Sequence, residues 1–394
     1  MASLRASNVL DENAGVMGRG GPTTRRALGD IGNLVGALTA RCQVGKEDAA
    51  KAGGLTDRPG ASWGATRPRS NLLKPRENAA AAAQQTRRTA FGSQTGRSMS
   101  SLLSSRSEVA SRDASSRGNV PDIDEADKGN VLAVTEYIND IYTYYRRVEP
   151  NYRVSPDYMS RQTDINDKMR AILIDWLVEV HLKFKLMPET LLLTVNLIDR
   201  FLEKKAVTRK NLQLVGVTAM LIASKYEEIW APEVRDFVYI SDKAYTREQI
   251  LQMEKLILNT LKFSLTLPTP YTFLVRYHKA VKATKQVEHL SNFFLELALP
   301  EYSMIKYPAP LLSAGAVYAA VRTTEPRSST SPWTSTFSAH CPGYTEEQVL
   351  EVARHLCTLH GKQATASLVA VNKKYSNEKF QSVAKLPACS ALAN

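Results

Sequence analysis

Apolar side chains recur at intervals of three and four from residue 131 onward, which is the spacing of one face of an α-helix. The run from Met169 to Val180 is the most apolar of these segments, with one continuous apolar face and the beginning of a second. A helix that is apolar nearly all round belongs inside a helical bundle, so the pattern predicts one there. Three charged residues interrupt this run: Arg170, Asp175 and Glu179. We therefore expect part of this helix to meet solvent or a partner.

The same spacing, together with helix-capping signals, predicts two successive groups of five helices. The first group lies within residues 164–267, where residues 164–166 and the capping box at 246–249 mark two helix starts. The second group lies within residues 271–373, and a separate helix is predicted at 131–146. Sequence identity between the two groups is low, so the repeat rests on the number and order of helices. The sequence thus predicts an all-α fold with two tandem five-helix units after an N-terminal helix.

In the rest of the chain, composition and the lack of periodicity indicate a loop and a tail. The stretch 324–342 is rich in Ser, Thr and Pro, and we expect an extended polar loop there. The tail after Ser376 has no periodicity, and we expect it to lie along the surface. The predicted organisation is a regulatory region, an N-terminal helix with its linker, two helical units and a tail, at residues 1–120, 121–165, 166–267, 268–376 and 377–394.

The chain's basic character is concentrated at one end. Residues 1–120 contain 18 Lys and Arg against 9 Asp and Glu, a net charge of +9, which leaves +3 of the total +12 for residues 121–394. Large apolar residues are sparse in this region and show no period, so it cannot offset the entropy cost of ordering, and we predict disorder. The opening residues lack the apolar core of a secretory signal, and no window approaches 18 uninterrupted apolar residues, so we expect no membrane span.

The chemistry-bearing residues do not form a recognisable catalytic site. Nucleophile elbows, zinc-protease motifs and phosphate-binding loops are missing, and no Ser or Cys nucleophile is grouped with the six histidines. Cys357 and His360 are spaced like half a metal site without a second half, and Cys341 could pair with Cys357 only in an oxidising setting. We therefore expect a binding protein without cofactor or metal, rather than an enzyme.

Three segments resemble the cyclin box of a mitotic cyclin. They are MRAILIDWLVEV at 169–180, LIASKYEE at 221–228 and MEKLIL at 253–258. HLKF at 181–184 is similar to the variant found in the B-type cyclins of plants. The resemblance covers about residues 125–380, with its motifs in the correct order and spacing.

The resemblance implies a non-catalytic subunit that binds and activates a cyclin-dependent Ser/Thr kinase at the G2/M transition and in mitosis. Lys225 and Glu254 match the lysine and glutamate that, in cyclins, hydrogen-bond the backbone around the kinase's mobile regulatory helix. Three further positions match the apolar floor under that helix: Ile222, Phe263 and Leu265. From the residues alone, Lys225 could equally be a solvent-facing lysine that favours the helix C-terminus, and Glu254 an exposed carboxylate.

A second implied surface binds Arg-x-Leu segments of substrates and inhibitors. An apolar groove for the leucine beside a carboxylate for the arginine is the chemistry that such a peptide needs. Seven positions match this surface in residue type: Met169, Ile172, Leu173, Trp176, Glu179, Leu212 and Gln213. The competing interpretation is that Met169, Leu173 and Trp176 are buried core.

Residues 25–33, RRALGDIGN, have the form RxxLxxIxN and resemble a destruction box recognised by the anaphase-promoting ubiquitin ligase. The resemblance implies that Arg25, Leu28, Ile31 and Asn33 form this degron. Residues 76–78, REN, resemble the companion Lys-Glu-Asn degron but begin with arginine.

The alternative from another class is a general transcription factor with two cyclin-like repeats that binds promoter DNA. It would need a zinc ribbon and a basic stripe, whereas residues 1–120 hold one cysteine and residues 121–394 carry only +3. The arginines of residues 1–120 occur singly or in pairs without interleaved aromatics, so we expect no dedicated nucleic-acid binding. An A-type cyclin is the nearer alternative, but HLKF and the destruction box favour the B type. We expect the protein in nucleus and cytoplasm, depending on the cell cycle.

Overall fold

The computed structural model describes residues 120–326 and 330–393, and these contain helices and turns but no strand. The N-terminal helix, α1, spans Ile138–Val148 and is preceded by three short 3-10 turns. The predicted start at residue 131 was wrong by two turns because Val134 adopts a left-handed conformation, with φ of 50°, which an α-helix cannot accommodate.

The first helical unit matches the predicted number and order of helices. Asn166 accepts a hydrogen bond from the Met169 N–H at 3.0 Å and so begins the helix that carries Trp176. Thr246 and Gln249 form the predicted capping box. The five helices of this unit are α2 Asp167–Phe184, α3 Pro188–Lys204, α4 Arg209–Glu227, α5 Val234–Ile240 and α6 Arg247–Thr260.

The second unit repeats this plan, with two short helices added, one between its third and fourth main helices and one at its C-terminal end. A second capping box, formed by Thr345 and Gln348, begins the fourth main helix. The helices are α7 Pro270–Ala280, α8 Lys285–Ala298, α9 Ala309–Thr324, α10 Ser335–His340, α11 Glu346–Lys362, α12 Ala370–Tyr375 and α13 Ser390–Ala393. The predicted all-α fold with two tandem units is confirmed.

The described part of the segment after α9, residues 330–342, is not an extended polar loop. Phe337 on α10 is fully buried, and its ring meets Tyr277 of α7 and Trp333 edge-on, with centroids 5.6 and 5.2 Å apart. Cys341 follows and is also buried. The polar composition misled the sequence prediction because two aromatic rings are enough to fix a short helix on the second unit.

The C-terminal tail is also packed against the protein rather than lying on its surface. Val383, Cys389 and Leu392 are each no more than 5% exposed, and α13 packs against α11. The apolar residues of this tail lack a regular period because they sit in 3-10 turns and a single helical turn, so periodicity did not reveal their burial.

Arg170 is wholly buried, so this charge is not on the part of α2 that meets solvent, whereas Asp175 and Glu179 are partly exposed. The Arg170 guanidinium donates two hydrogen bonds to the Asp199 carboxylate of α3, from Nε at 2.6 Å and from Nη2 at 2.8 Å. Nη1 donates to the Leu299 carbonyl, just after α8, at 3.0 Å, and the Tyr158 hydroxyl donates to Asp199 at 2.8 Å. The pair therefore connects the first unit, the second unit and the linker before α2.

One further contact between the units lies at α12. Asp175 of α2 accepts a hydrogen bond from the Ala370 N–H at 3.0 Å. Within the second unit, Glu296 of α8 receives buried bonds from Lys374 Nζ at 2.6 Å and from the Tyr375 hydroxyl at 2.7 Å. These bonds hold α12 between α8 and α2.

Among the described residues, Cys341, Cys357 and Cys389 are free and buried. The same residues contain no group of three or more His, Cys, Asp or Glu side chains arranged to hold a metal ion. None of their helices combines the length and apolar character needed to cross a membrane.

Arg170→Ala is expected to lower the free energy of unfolding by about 3–5 kcal/mol, because it leaves the Asp199 carboxylate buried without its cation. Replacing both partners, with Arg170→Met and Asp199→Leu, should cost less, since no unpaired charge remains. Urea unfolding followed by circular dichroism measures both variants. Equal losses in the two variants would show that the guanidinium acts by its bulk rather than by its charge.

Candidate functional site

Lys225 and Glu254 form an ion pair at the protein surface. Lys225 lies in the last turn of α4 and Glu254 in the middle of α6, with Nζ 2.7 Å from Oε1. The lysine side chain is 47% exposed and the glutamate 14% exposed. The lysine is therefore partly in water, as the alternative interpretation holds, but it is also held by a carboxylate beneath it. This arrangement leaves the ammonium accessible to a partner.

The three predicted apolar floor positions lie at different depths. Ile222 is 2% exposed and belongs to the core, Leu265 is half-buried, and Phe263 is 65% exposed. Phe263 is presented outward by two successive left-handed residues, Lys262 and Phe263 itself, with φ of 53° and 56°. Because left-handed backbone is costly for residues other than glycine, the turn after α6 holds this ring in an unusual conformation.

Sequence analysis missed a group of exposed apolar residues that lie close in sequence to Lys225 or Glu254. Its members lie at the end of α4, just after it, or on α6, and their exposed fractions run from 43% to 91%: Tyr226, Ile229, Trp230 and Leu256. The Tyr226 hydroxyl is 2.6 Å from Thr266 Oγ1, which fixes that ring. Ile229 and Trp230 lie just beyond the end of α4, and this apolar pair outside any helix was the signal that could have revealed the surface.

α1 extends this surface from the second unit. Tyr142 packs edge-on against Phe273 of α7, and its hydroxyl donates to the Thr272 carbonyl at 2.9 Å. Tyr137 and Tyr144 remain 58% and 49% exposed. Burial raises the pKa of Tyr145, and the Tyr226 hydroxyl raises it further, so Tyr145 of α1 is within electrostatic range of the last turn of α4. We call Lys225, Glu254, Phe263, the missed apolar group, Tyr137 and Tyr144 the first surface.

The residues that precede α1 are tied to the second unit by charge. Asp124 is buried and receives hydrogen bonds from Arg276 at 2.6 Å and from Lys279 at 3.0 Å, both on α7. Burial by itself would raise the pKa of Asp124, but these two cations outweigh it and hold the pKa below its usual value. The carboxylate is therefore ionised, and it anchors the segment that leads into α1.

The predicted Arg-x-Leu residues come together on α2 and α4. Three of them are buried: Leu173, Trp176 and Leu212 are 3–5% exposed. The other four are partly exposed: Met169, Ile172, Glu179 and Gln213. The core interpretation therefore applies to Leu173 and Trp176. The four partly exposed residues form the accessible part of the surface. We call all seven residues the second surface.

A close helix contact supports the second surface. A Cβ atom added to Gly216 of α4 would lie 2.7 Å from Leu173 Cδ1 of α2, so a larger residue there would force the Leu173 side chain to shift. Leu212 and Gln213 lie one turn before Gly216 on the same side of α4. The two helices therefore bring the α2 and α4 members of the surface side by side.

Asp175 borders the second surface, one turn from both Ile172 and Glu179. Burial raises the pKa of its carboxyl to about 6, and the charge of Glu179 adds to this, although the Ala370 and Val369 N–H groups oppose it. The group that joins α2 to α12 therefore titrates below neutral pH at the edge of this surface.

Asp175→Asn is expected to remove a pH dependence of stability. A carboxyl whose pKa rises from about 4 to about 6 on folding binds more protons when folded, so wild-type stability falls as pH rises through that range. Asparagine keeps the acceptor for Ala370 and cannot ionise. The variant should be more stable than wild type at pH 7 by on the order of 1–2 kcal/mol and equal to it near pH 4.

Urea unfolding across pH 4–8 measures this difference. The control is Asp167→Asn, which removes a carboxylate from the exposed first turn of the same helix. A stability difference between wild type and Asp175→Asn that does not change with pH would refute the assignment.

The two predicted degrons, at residues 25–33 and 76–78, lie outside the described residues, as does the rest of the basic region up to residue 119.

Two family models match the chain. The cyclin N-terminal domain matches residues 140–266, and the cyclin C-terminal domain matches residues 268–389. The two matches follow the two helical units and include α1 with the first.

Curated relatives match the same part of the chain. Cyclin-B2-1 of Oryza sativa subsp. japonica is 56% identical over 254 residues, which are 64% of this chain and 60% of the relative. Cyclin-B2-2 of Arabidopsis thaliana is 54% identical over 253 residues, 64% of this chain and 58% of the relative. G2/mitotic-specific cyclin-2 of Medicago sativa is 50% identical over 264 residues, which are 67% of this chain and 79% of the relative. The chain thus spans about 60% of the length of the first two relatives.

Among solved structures, the X-ray structure of a viral cyclin from herpesvirus saimiri superposes with a TM-score of 0.50 at 23% identity. The superposition covers 55% of this chain and 94% of the viral one. At this identity the similarity concerns the fold alone.

Proposed function

Since this chain belongs to the cyclin family and its relatives above carry B-type or G2/mitotic names, we propose that it activates a cyclin-dependent Ser/Thr kinase at the onset of mitosis. It does so as a regulatory subunit that contributes no catalytic group. The observation that carries this proposal is the first surface, where the Lys225–Glu254 pair stands among exposed aromatic and aliphatic side chains.

The first surface has the composition of a protein interface rather than of ordinary solvent-exposed helix. Trp230 is 91% exposed and Ile229 71% exposed, so leaving them in water forgoes a large hydrophobic gain that a partner would supply. Tryptophan and tyrosine are the residues most enriched at the energetic centres of interfaces. A partner that covers these rings also removes water from Lys225, which strengthens any hydrogen bond that the ammonium makes.

The Lys225–Glu254 pair is suited to hold backbone rather than side chains. An ammonium carries three N–H donors, and the Glu254 carboxylate has acceptor sites beyond the one facing Lys225. The pair can therefore accept and donate hydrogen bonds at the end of a partner helix. We propose that it fixes the kinase's regulatory helix in the inward position, where the kinase's own lysine and glutamate pair and the activation loop is ordered.

The second surface is proposed to dock Arg-x-Leu segments of substrates and inhibitors. Glu179 offers a partly exposed carboxylate to the arginine, and Met169 and Ile172 offer apolar edges to the leucine. Leu173 and Trp176 lie underneath and shape the groove without being its walls.

Two further proposals rest on sequence motifs and family membership. The destruction box of Arg25, Leu28, Ile31 and Asn33 would direct the protein to the anaphase-promoting ubiquitin ligase, with residues 76–78 as a second degron. Presence in nucleus and cytoplasm according to cell-cycle stage is likewise a proposal.

Lys225→Ala and Glu254→Ala are each expected to weaken kinase binding by about 2–5 kcal/mol, because each leaves the other charge unpaired in a buried interface. Isothermal titration of the full chain with a cyclin-dependent kinase measures this loss. The matched control is Lys285→Ala, which breaks a second Lys–Glu pair with the same 2.7 Å separation, on α8. Affinity that is unchanged in both test variants would overturn the assignment of the first surface.

Ile172→Ser combined with Glu179→Gln is expected to raise KM about tenfold for substrates that carry an Arg-x-Leu motif, since about 1.4 kcal/mol of docking energy is removed. Short peptides without the motif should be phosphorylated as by wild type. Glu248→Gln, at an exposed position of α6, serves as the control. A parallel loss for both substrate classes would show that the two changes damage the fold or the kinase contact instead.

A further inference from the structure

The chain contains three Ser/Thr-Pro dipeptides: Ser155-Pro156, Thr269-Pro270 and Ser331-Pro332. Proline lacks a backbone N–H and has a fixed φ, which lets a proline-directed Ser/Thr kinase select it directly after the target residue. In sequence the three dipeptides are equivalent targets. The structure places them in three different environments.

Two of the three are protected by the fold. Thr269 is 5% exposed and lies at the N-cap of α7, so its release would require the end of that helix to open. The Ser331 hydroxyl donates to Glu346 at the start of α11, and the Tyr318 hydroxyl donates to the same carboxylate at 3.1 Å. Pro332 is buried, so a kinase cannot reach the ring that it would need to recognise.

Ser155 is different because it lies in the linker between α1 and α2. Residues 153–155 have no regular secondary structure, and Pro156 and Asp157 are both exposed. The hydroxyl of Ser155 donates to the carboxylate of Asp157 within the same turn. Ser155 is partly exposed, and releasing its hydroxyl requires this turn to open but no α-helix to unwind.

We propose that Ser155 is a phosphorylation site for a proline-directed Ser/Thr kinase. In the reaction the Ser155 Oγ attacks the γ-phosphorus of ATP, the bond between this phosphorus and the β,γ-bridging oxygen breaks, and ADP leaves. The hydroxyl proton passes to the kinase's base. This proposal does not depend on the function proposed above, because any kinase of this specificity can carry out the step.

The charges around Ser155 determine what the phosphate does. Phosphorylation adds about −1.5 to −2 charges at neutral pH. The Ser155 N–H donates to Glu203 Oε1 at 2.8 Å, and Asp157 lies on the other side, so the phosphate meets two carboxylates. Arg153 and Arg161 are neighbouring cations, but Arg153 Nη2 donates to the Lys306 carbonyl at 3.3 Å and Arg161 Nη2 faces Glu203 at 3.8 Å. Like-charge repulsion therefore acts to open the turn.

The turn is connected to the core. The Tyr158 N–H donates to the Ser155 carbonyl at 3.2 Å, and the Tyr158 hydroxyl reaches Asp199 in the buried ion pair. Opening of the turn frees one end of the linker that joins α1 to the first unit. Phosphorylation thus loosens the linker between α1 and α2, while Tyr142 and Asp124 still hold α1 and its preceding segment on the second unit.

The test treats the full-length folded chain with a purified proline-directed kinase and ATP, and follows phosphate at the three sites by mass spectrometry of proteolytic peptides. Ser155 is expected to be labelled at least about tenfold faster than Ser331 and Thr269, which corresponds to a difference of about 1.4 kcal/mol in the opening that each site requires. Ser155→Ala should abolish the main product. Its fold should be unchanged, because the hydroxyl makes one surface hydrogen bond.

The chain denatured in urea and diluted into the reaction provides the reference, since all three dipeptides are then accessible and should be labelled at similar rates. Folded-state labelling that is equal at the three sites, or that favours Ser331 or Thr269, would overturn the proposal. The proposal would also be overturned if Ser155 were labelled in the denatured chain but not in the folded chain. Absence of Ser155 labelling in both chains would overturn it as well.

Hydrogen exchange tests the consequence separately. In the phosphorylated chain the amides of Ser155 and Tyr158 should exchange at least about tenfold faster than in the unmodified chain, while amides within α7 should not change. Unchanged exchange at both positions would mean that the linker accommodates the phosphate and stays closed.

Discussion

The buried Arg170–Asp199 pair constrains the rest of the structure. Two charges removed from water cost several kcal/mol each unless every donor and acceptor is matched, so the surroundings must close around them in one arrangement. Here the arrangement uses α2, α3, the Tyr158 hydroxyl of the linker and the Leu299 carbonyl of the second unit. The same requirement that satisfies the guanidinium therefore fixes how the two helical units face each other.

That fixed relation matters because the first surface draws on both units. Lys225, Glu254 and Phe263 belong to the first unit, whereas α1 is held on the second unit through Tyr142 and the Asp124 carboxylate. If the units could rotate, the tyrosines of α1 would no longer lie beside the end of α4. A partner that binds all of them recognises the assembled molecule rather than either unit alone.

The helices and their order were predictable from sequence because periodicity and N-caps are local properties, as Asn166 and Thr246 show. Features that depend on distant partners were not predictable. Arg170 finds its carboxylate 29 residues away, and nothing in one sequence indicates that pairing. The left-handed Val134 and the packed tail could not be predicted because neither has a periodic sequence pattern. For the candidate site, motif resemblance indicated which residues to inspect, but only the structure separated the buried Trp176 from the exposed Trp230.

The helix α4 carries part of both surfaces, with Gln213 near its beginning and Lys225 in its last turn. Twelve residues of α-helix span about 18 Å, and α4 packs against α2 where Gly216 meets the Leu173 side chain. Under the proposed function, the length of α4 sets the distance between the two surfaces. A substrate held at the second surface must cover at least this distance to approach the kinase, which takes about five extended residues even along a straight path. Spacing between docking motif and target, and not only motif strength, would then decide which proteins are phosphorylated.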